Sequence, residues 1–429
     1  MTSSTLTPTA PSKGPTTTRT QLANGLTVIV TPNLAADIVS AHLFIKAGQA
    51  QETPETAGLF TLLADTLIKG TASKTSMQIA EAVESVGASF SSDVAADYSQ
   101  ISLKTVSADF ESVLALAAEV IREPSFLDSE VALEKRLIVQ GIRSLKEQPF
   151  SVAYNRLRET LYAKHPYGLS HEQSEQVIAK LTRQELLDTC DKYFRPDNIV
   201  ISIAGRISSE QANKLVDNLF GDWQKPASPL PKTTFPQLRL AAQQTVTVQN
   251  TNQAFVIVGH MAGAVNHVDY PALKLASTYL GNGLSSRLFV ELREKRGLAY
   301  DVSAFYPTRL EPAAFVAYIG TAPQNVQVAL EGLQREIERL KTTPLTPEEL
   351  QISKNKILGQ YALGKQTNSQ IAQTVGWYEV LGLGIEFDQG FQEAIAAATL
   401  SDIQSAANRH FVAQHISILG PAEAVASLQ

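Results

Sequence analysis

Arg293 and Tyr300 are the two residues whose types and spacing come nearest to a chemical site. One is a fixed cation with forked donors, the other a phenol with a hydrogen-bonding tip. The stretch Ser285–Tyr300 reads as the end of a helix with a glycine stop. Leu288, Phe289 and Leu292 recur at helical spacing, charges cover the other face, and Gly297 stands where a left-handed cap belongs. Tyr300 then opens a strand that runs to Tyr306. A helix end running straight into a strand puts Arg293 and Tyr300 at one junction. The plainer reading is a surface helix whose Arg293 pairs with Glu291 or Glu294, followed by a tyrosine packed in a core strand.

Other chemistry is thin. The seven histidines, His42, His165, His171, His260, His267, His410 and His415, are scattered. His165 and His171 flank Pro166-Tyr167-Gly168 in a loop, and His410 and His415 straddle a helix end; lone histidines are usually packed or solvated. Cys190 is the single cysteine, which excludes a disulfide framework, and it lies beside Asp188 and Asp191, surroundings that disfavour a thiolate. No nucleophile elbow, Walker loop or dinucleotide fingerprint occurs. Gly281-Asn282-Gly283 precedes a helix but lacks a glycine ladder.

The elements that must position Arg293 and Tyr300 belong to a chain of 429 residues, too long for one ordinary core. Its 44% hydrophobic and 18% charged residues are typical of a soluble globular protein, and the net charge of -6 offers no basic field for nucleic acid. No run of apolar residues is long enough to span a membrane. Residues 1–20, rich in Ser, Thr and Pro, lack the apolar core of a secretory signal and are expected to form a disordered tail, so a cytoplasmic location is expected.

Four prolines within Lys225–Pro236 forbid regular structure there and mark a linker between two halves, 21–224 and 237–429. The halves are built alike. Near the end of the first, Thr182 and Glu185 open a helix that closes at Tyr193-Phe194 and is followed by the strand Ile199–Ile203. Near the end of the second, Thr399 and Asp402 open a helix that closes at His410-Phe411 and is followed by Ile416–Leu419. Both starts have the form of a capping box. Asn24-Gly25 marks a turn before Leu26–Val30, and the next strand places Val39, Ala41, Leu43 and Ile45 on one face; Thr245–Val248 and Ala254–Val258 take the same places in the second half. Amphipathic runs at Asp109–Arg122 and Gln324–Lys341, and the start Thr346-Pro347-Glu348-Glu349, are helical. The expected fold is α+β, with two homologous halves, each a mainly antiparallel sheet with helices packed on one face.

The arginine–tyrosine stretch, the doubled architecture and one further segment together resemble the pitrilysin/insulinase metallopeptidases, the inverted-zinc-motif family. That segment, Gly58–Thr71, keeps a flanking Gly58-Leu59 and a closing Lys69-Gly70-Thr71. The family holds zinc with two histidines of a His-x-x-Glu-His helix and a glutamate on a later helix, and the motif's own glutamate is the base. Here Thr61 and Asp65 stand at the histidine positions and Ala64 at the base. Glu134 is retained on the later helix, but Gly141 falls at the third ligand. Threonine, alanine, aspartate and glycine cannot supply a nitrogen-rich zinc set.

The resemblance implies a non-catalytic subunit of a bacterial-type heterodimer, inactive alone and without a cofactor of its own. A partner carrying His-x-x-Glu-His would hold zinc and cleave peptides. Tyr300 would hydrogen-bond the developing oxyanion and Arg293 a substrate carbonyl, while Gly281, Asn282 and Gly283 would let the backbone turn closely at the substrate; Arg287 reads as structural. A peptidase-derived scaffold or interaction protein with no proteolytic role is the competing reading.

Overall fold

Val39, Ala41, Leu43 and Ile45 point from one side of their strand into one core, while Phe44 points from the other side into a second core. A strand buried on both sides needs a cover on both sides, and that requirement shapes the molecule. The computed structural model describes residues 16–238 and 241–428.

The first half runs β1 (Thr18–Gln21), β2 (Thr27–Pro32), β3 (Val39–Ile45), α1 (Leu59–Leu67), α2 (Ser76–Glu84), β4 (Ser89–Val94), β5 (Ser99–Thr105), α3 (Phe110–Arg122), α4 (Asp128–Lys146), α5 (Pro149–Leu161), α6 (His171–Ile178), α7 (Arg183–Tyr193), β6 (Ile199–Gly205) and α8 (Ser209–Phe220). The second runs β7 (Gln243–Val248), β8 (Ala254–Ala262), α9 (Tyr270–Gly281), a π-helix (Phe289–Glu294), β9 (Asp301–Phe305), β10 (Ala313–Thr321), α10 (Val326–Thr342), α11 (Pro347–Leu363), α12 (Asn368–Val380), α13 (Phe387–Ala397), α14 (Leu400–His410), β11 (His415–Gly420) and α15 (Ala422–Val425). Residues 225–236 carry no helix or strand. No helix among the described residues is long and apolar enough to cross a membrane.

Apart from the additional edge strand β1, the sheets have matching orders, β1-β2-β6-β3-β5-β4 and β7-β11-β8-β10-β9. All neighbours are antiparallel except β2 with β6 and β7 with β11. The expected repeat is thus present in three dimensions, and the expected capping boxes form at Thr182, Thr346 and Thr399. The tail expectation needs correction at its end: Thr18–Gln21 pairs with β2 as a strand, because its backbone completes the open edge of the sheet. Residues 1–15 lie outside the described residues.

Within each half the helices α1, α3 and α8, or α9, α10 and α14, pack on one face of the sheet. The opposite face is covered by a helix from the other half. On the first sheet α12 sets Val375, Val380 and Leu381 against Ile29, Phe44 and Val200. On the second sheet α5 sets Ala153, Leu157 and Leu161 against Phe255, Ile257 and Val316. Each large apolar side chain so buried contributes about 1.5–3 kcal/mol.

The seat of α12 is close. A Cβ at Gly376 would stand 2.3 Å from the Phe44 ring and 2.6 Å from Ser202 Cβ, so only glycine lets the helix lie that near the sheet. Polar bonds fix its register: Arg19 Nη2 donates to Glu379 Oε1 (2.8 Å) and Asn368 Nδ2 to the Ile38 carbonyl (2.8 Å). The sequence leaves open whether the halves move about the proline-rich segment. The exchange of helices locks them together.

Candidate functional site

The junction predicted between Arg293 and Tyr300 exists, with a different helix. Phe289–Glu294 is a π-helix, closed by Lys295 N–H donating to the Val290 carbonyl (3.0 Å). Such turns are rare and gather at functional sites. Leu288 and Leu292 are fully buried and anchor it to the core. Gly297 takes φ +61°, the left-handed stop its position required. Tyr300 N–H then donates to the Gly320 carbonyl (2.9 Å), which starts the β9–β10 ladder. The strand itself begins one residue later, at Asp301.

Arg293 Nη1 donates to the Tyr300 carbonyl (3.0 Å), and the guanidinium carbon lies 5.0 Å from the Phe289 ring centre. Neither acidic neighbour takes it: Glu291 pairs with Arg287 (3.1 Å) and Lys295 (2.7 Å). Arg287 also reaches Glu336 (2.8 Å), in keeping with a structural part. Tyr300 is 58% exposed and is not a core aromatic. β9 is an edge strand with β10 on one side only. An exposed phenol and a partly free guanidinium therefore flank an open sheet edge, an arrangement suited to gripping an extended chain.

Of the glycine pair before the π-helix, the first is required by packing and the second by its backbone conformation. A Cβ at Gly281 would stand 1.8 Å from Ala304 N on β9, and Gly283 takes φ +84°. Asn282 faces α11, donating to Gln360 Oε1 (2.8 Å) and accepting from Lys356.

The degenerate positions of the first half lie on two helices in contact, Thr61, Ala64 and Asp65 on α1 and Gly141 on α4. Thr61 Oγ1 is 3.4 Å from Gln49 Nε2, and Ala64 is buried. Asp65 lies close enough to Glu134 that burial, then that carboxylate, push it up to about 6. Lys69 pairs with Glu134 at 3.0 Å. Gly141 sits on the exposed side of α4, with no atom within 4 Å of where a Cβ would stand. The zinc of the family does not fit these residues, since a hydroxyl, a methyl and a bare glycine occupy three of the four positions, Asp65 alone offers a carboxylate among them, and the neighbouring Glu134 is already paired with Lys69.

Sequence reasoning missed two features. Glu52 is buried at the start of α1, where its oxygens accept the N–H groups of Gly58 and Phe60 (2.9 Å each). Burial, offset in part by those bonds, pushes it up to about 7. His267 and His410, scattered in sequence, converge on Asp269, at 3.7 Å and 3.0 Å. Among the described residues this is the one group of three potential metal ligands. Arg409 Nε also donates to Asp269 (2.8 Å) and holds its carboxyl below the usual range, and His267 Nδ1 accepts the Asp269 N–H (3.1 Å). The cluster is therefore an ion-paired knot tying α14 to the start of α9. His415 lies apart, 3.4 Å from Thr160, and His165 stacks on Phe235. Cys190 is buried, and burial raises its thiol, in keeping with a structural part.

Comparison with known proteins places this geometry. Residues 27–175 match the family model described as insulinase (peptidase family M16), and residues 180–357 match the one described as the peptidase M16 inactive domain. The chain is 26% identical over 402 residues to the uncharacterized zinc protease YmxG of Bacillus subtilis, covering 93% of this chain and 97% of that one. It is 25% identical to an uncharacterized zinc protease of Rickettsia bellii, covering 94% and 97%. A protease from Helicobacter pylori has the same fold, with a TM-score of 0.89 at 22% identity over 95% of this chain and 100% of that one. So has a peptidase M16 inactive domain from Pseudomonas fluorescens, at 0.88 and 24% over 94% and 98%. With the two domain matches lying end to end along a shared two-half fold, the chain belongs to the insulinase (M16) peptidase family.

Proposed function

We propose that this chain is the zinc-free subunit of a heterodimeric M16 peptidase. It supplies Arg293 and Tyr300 to a site whose zinc, ligands and base belong to a partner bearing His-x-x-Glu-His. The observation that carries the reading is the contrast between the α1–α4 cleft, where Thr61, Ala64, Asp65 and Gly141 replace the family's set, and the exposed Arg293–Tyr300 pair.

The part this chain plays follows from its own donors. One guanidinium nitrogen of Arg293 is held by the Tyr300 carbonyl, which fixes the fork and leaves its other donors for a substrate carbonyl. The Tyr300 phenol offers a donor to an oxygen that gains charge as a peptide carbonyl is attacked, and the β9 edge offers backbone groups to align the peptide.

A native pull-down of tagged chain tests the proposal. Stoichiometric recovery of a His-x-x-Glu-His protein of similar size, with zinc-dependent peptide cleavage by the pair, supports it. Recovery of the chain alone, or only with unrelated proteins, overturns it and leaves a scaffold or interaction role.

A further inference from the structure

Lys274 lies on α9 between Tyr270 and Thr278, one turn from each, and all three line a cavity of about 330 Å³. α11 contributes Tyr361, α12 Trp377 and α13 Phe387 to the same cavity. The cavity sits where α9 meets α11, the second half's counterpart of the α1–α4 cleft.

The polar accounts of this pocket do not close. An ammonium carries three donors. Lys274 Nζ spends one on the Tyr306 carbonyl (2.7 Å) and stands over the faces of Tyr270 and Tyr306 at 5.2 and 5.3 Å. Among the described residues no carboxylate lies within ion-pair distance of it. The charged group that bears on it is Arg309, of like sign. Burial accordingly pushes the ammonium down to about 8. Most other polar groups of the wall are already engaged: Tyr270 with Thr308 (2.6 Å), Tyr361 with Asp388 (2.6 Å) and Tyr378, and Gln360 with Asn282 (2.8 Å). Asp388 is also held by Lys365, so it does not serve Lys274.

A single unmatched positive charge among aromatic walls selects a particular chemistry. A monoanion matches the charge and takes up the free donors, an apolar body fills the rest, and the volume limits the whole to a small molecule. We propose that this pocket binds a small monocarboxylic acid with an aromatic or branched apolar body, its carboxylate on Lys274 and its body against Trp377 and Phe387. The inference does not depend on the peptidase reading, since none of these residues belongs to the Arg293–Tyr300 junction.

Trp377 provides the readout. Full-length chain is titrated with phenylacetate, and with 2-phenylethanol as the neutral analogue, by tryptophan fluorescence and by calorimetry. Saturable binding of the acid, at least about tenfold tighter than of the alcohol, is expected, since a hydrogen bond to a charged group is worth that much. Lys274→Met should remove the preference for the acid while leaving the alcohol unaffected. Trp377→Phe should abolish the fluorescence change, because Trp223 lies in the first half beside Arg122, but keep the calorimetric signal. Absence of saturable binding to the wild type, or equal affinity for acid and alcohol, overturns the proposal. If Lys274→Met fails to fold, Lys274→Gln is read in the same way, and unchanged acid binding by either variant also overturns it.

Discussion

Apart from the extra edge strand β1, the two halves share a strand order and a sequence of helices, yet they diverge beside the last strand of each sheet. After α1 the first half builds α2, a nine-residue helix with a full capping box at Thr75 and Gln78, which leads to edge strand β4. After α9 the second half builds a six-residue π-helix that leads to edge strand β9. The ordinary helix satisfies its own ends and presents nothing unusual. The π-helix brings Arg293 back onto the Tyr300 carbonyl and leaves both residues at an open edge. Where α1 meets α4 the charged groups are instead drawn inward, Glu134 pairing with Lys69 beside Asp65. One scaffold can thus present different surface chemistry in its two copies, because strand order is set by the sheet cores and a site by a few surface positions.

If the difference is functional, the largest effect comes from the second half. In a complex with an active partner, Arg293→Ala or Tyr300→Phe should lower kcat by about 10²–10³, the usual cost of one donor aimed at developing charge, with the complex intact by size-exclusion chromatography. Unchanged turnover would reduce the junction to packing. Next in size is the seam. Gly376→Ala forces a methyl group into Phe44 and should cost about 1–3 kcal/mol, read as a lower urea midpoint with both halves still unfolding together. Separate transitions for the halves would break the picture of an interlocked pair.

A pH series sharpens the first half. Glu52 is raised from its usual range to about 7, so the folded state binds its proton more tightly than the unfolded chain does. Its contribution is fully present below the unfolded value and fades as pH rises through about 7. Asp65, raised to about 6, acts in the same direction. Stability should therefore fall between pH 5 and 8 by on the order of 2 kcal/mol from Glu52, and Glu52→Gln should flatten that slope, as followed by urea midpoints. The smallest effect is Lys69→Met. Breaking its pair with Glu134 should cost on the order of 1 kcal/mol, since Lys69 is partly exposed while Glu134 is buried, and should leave the activity of the complex alone. A large loss of activity there would return the first-half cleft to the mechanism.

Much of the fold was legible because its signals are local. Thr182, Thr346 and Thr399 each announce a helix start by a side chain three residues on, and the side chain makes the bond it promises. Gly297 announces a left-handed stop and takes one. The alternation of Val39, Ala41, Leu43 and Ile45 fixes one face of β3. Phe44 and Gly376 were not legible as partners, because an apolar helix face does not say which of two similar sheets it will cover. The π-turn was hidden too, since its residues have the spacing of an ordinary helix and one extra residue in a turn leaves no compositional mark. The positions that align with the family's zinc site could be read from the flanking Gly58-Leu59 and Lys69-Gly70-Thr71. The convergence of His267, Asp269 and His410 could not, since it is made by two helices that meet only in space.

The exchanged helices also set a timetable for synthesis. Asn368 and Ile38 bond across the seam although 330 positions separate them along the chain. A ribosome finishes the first sheet with β6, then must add α12 before the face carrying Ile29, Phe44 and Val200 is covered. At about 5–20 residues per second that interval lasts on the order of ten seconds or more. Throughout it the nascent first half has a bare apolar face, and α5 waits without its own sheet. Neither half is a unit that can finish alone, so the newly made chain is most in need of a chaperone while its second half is still being translated.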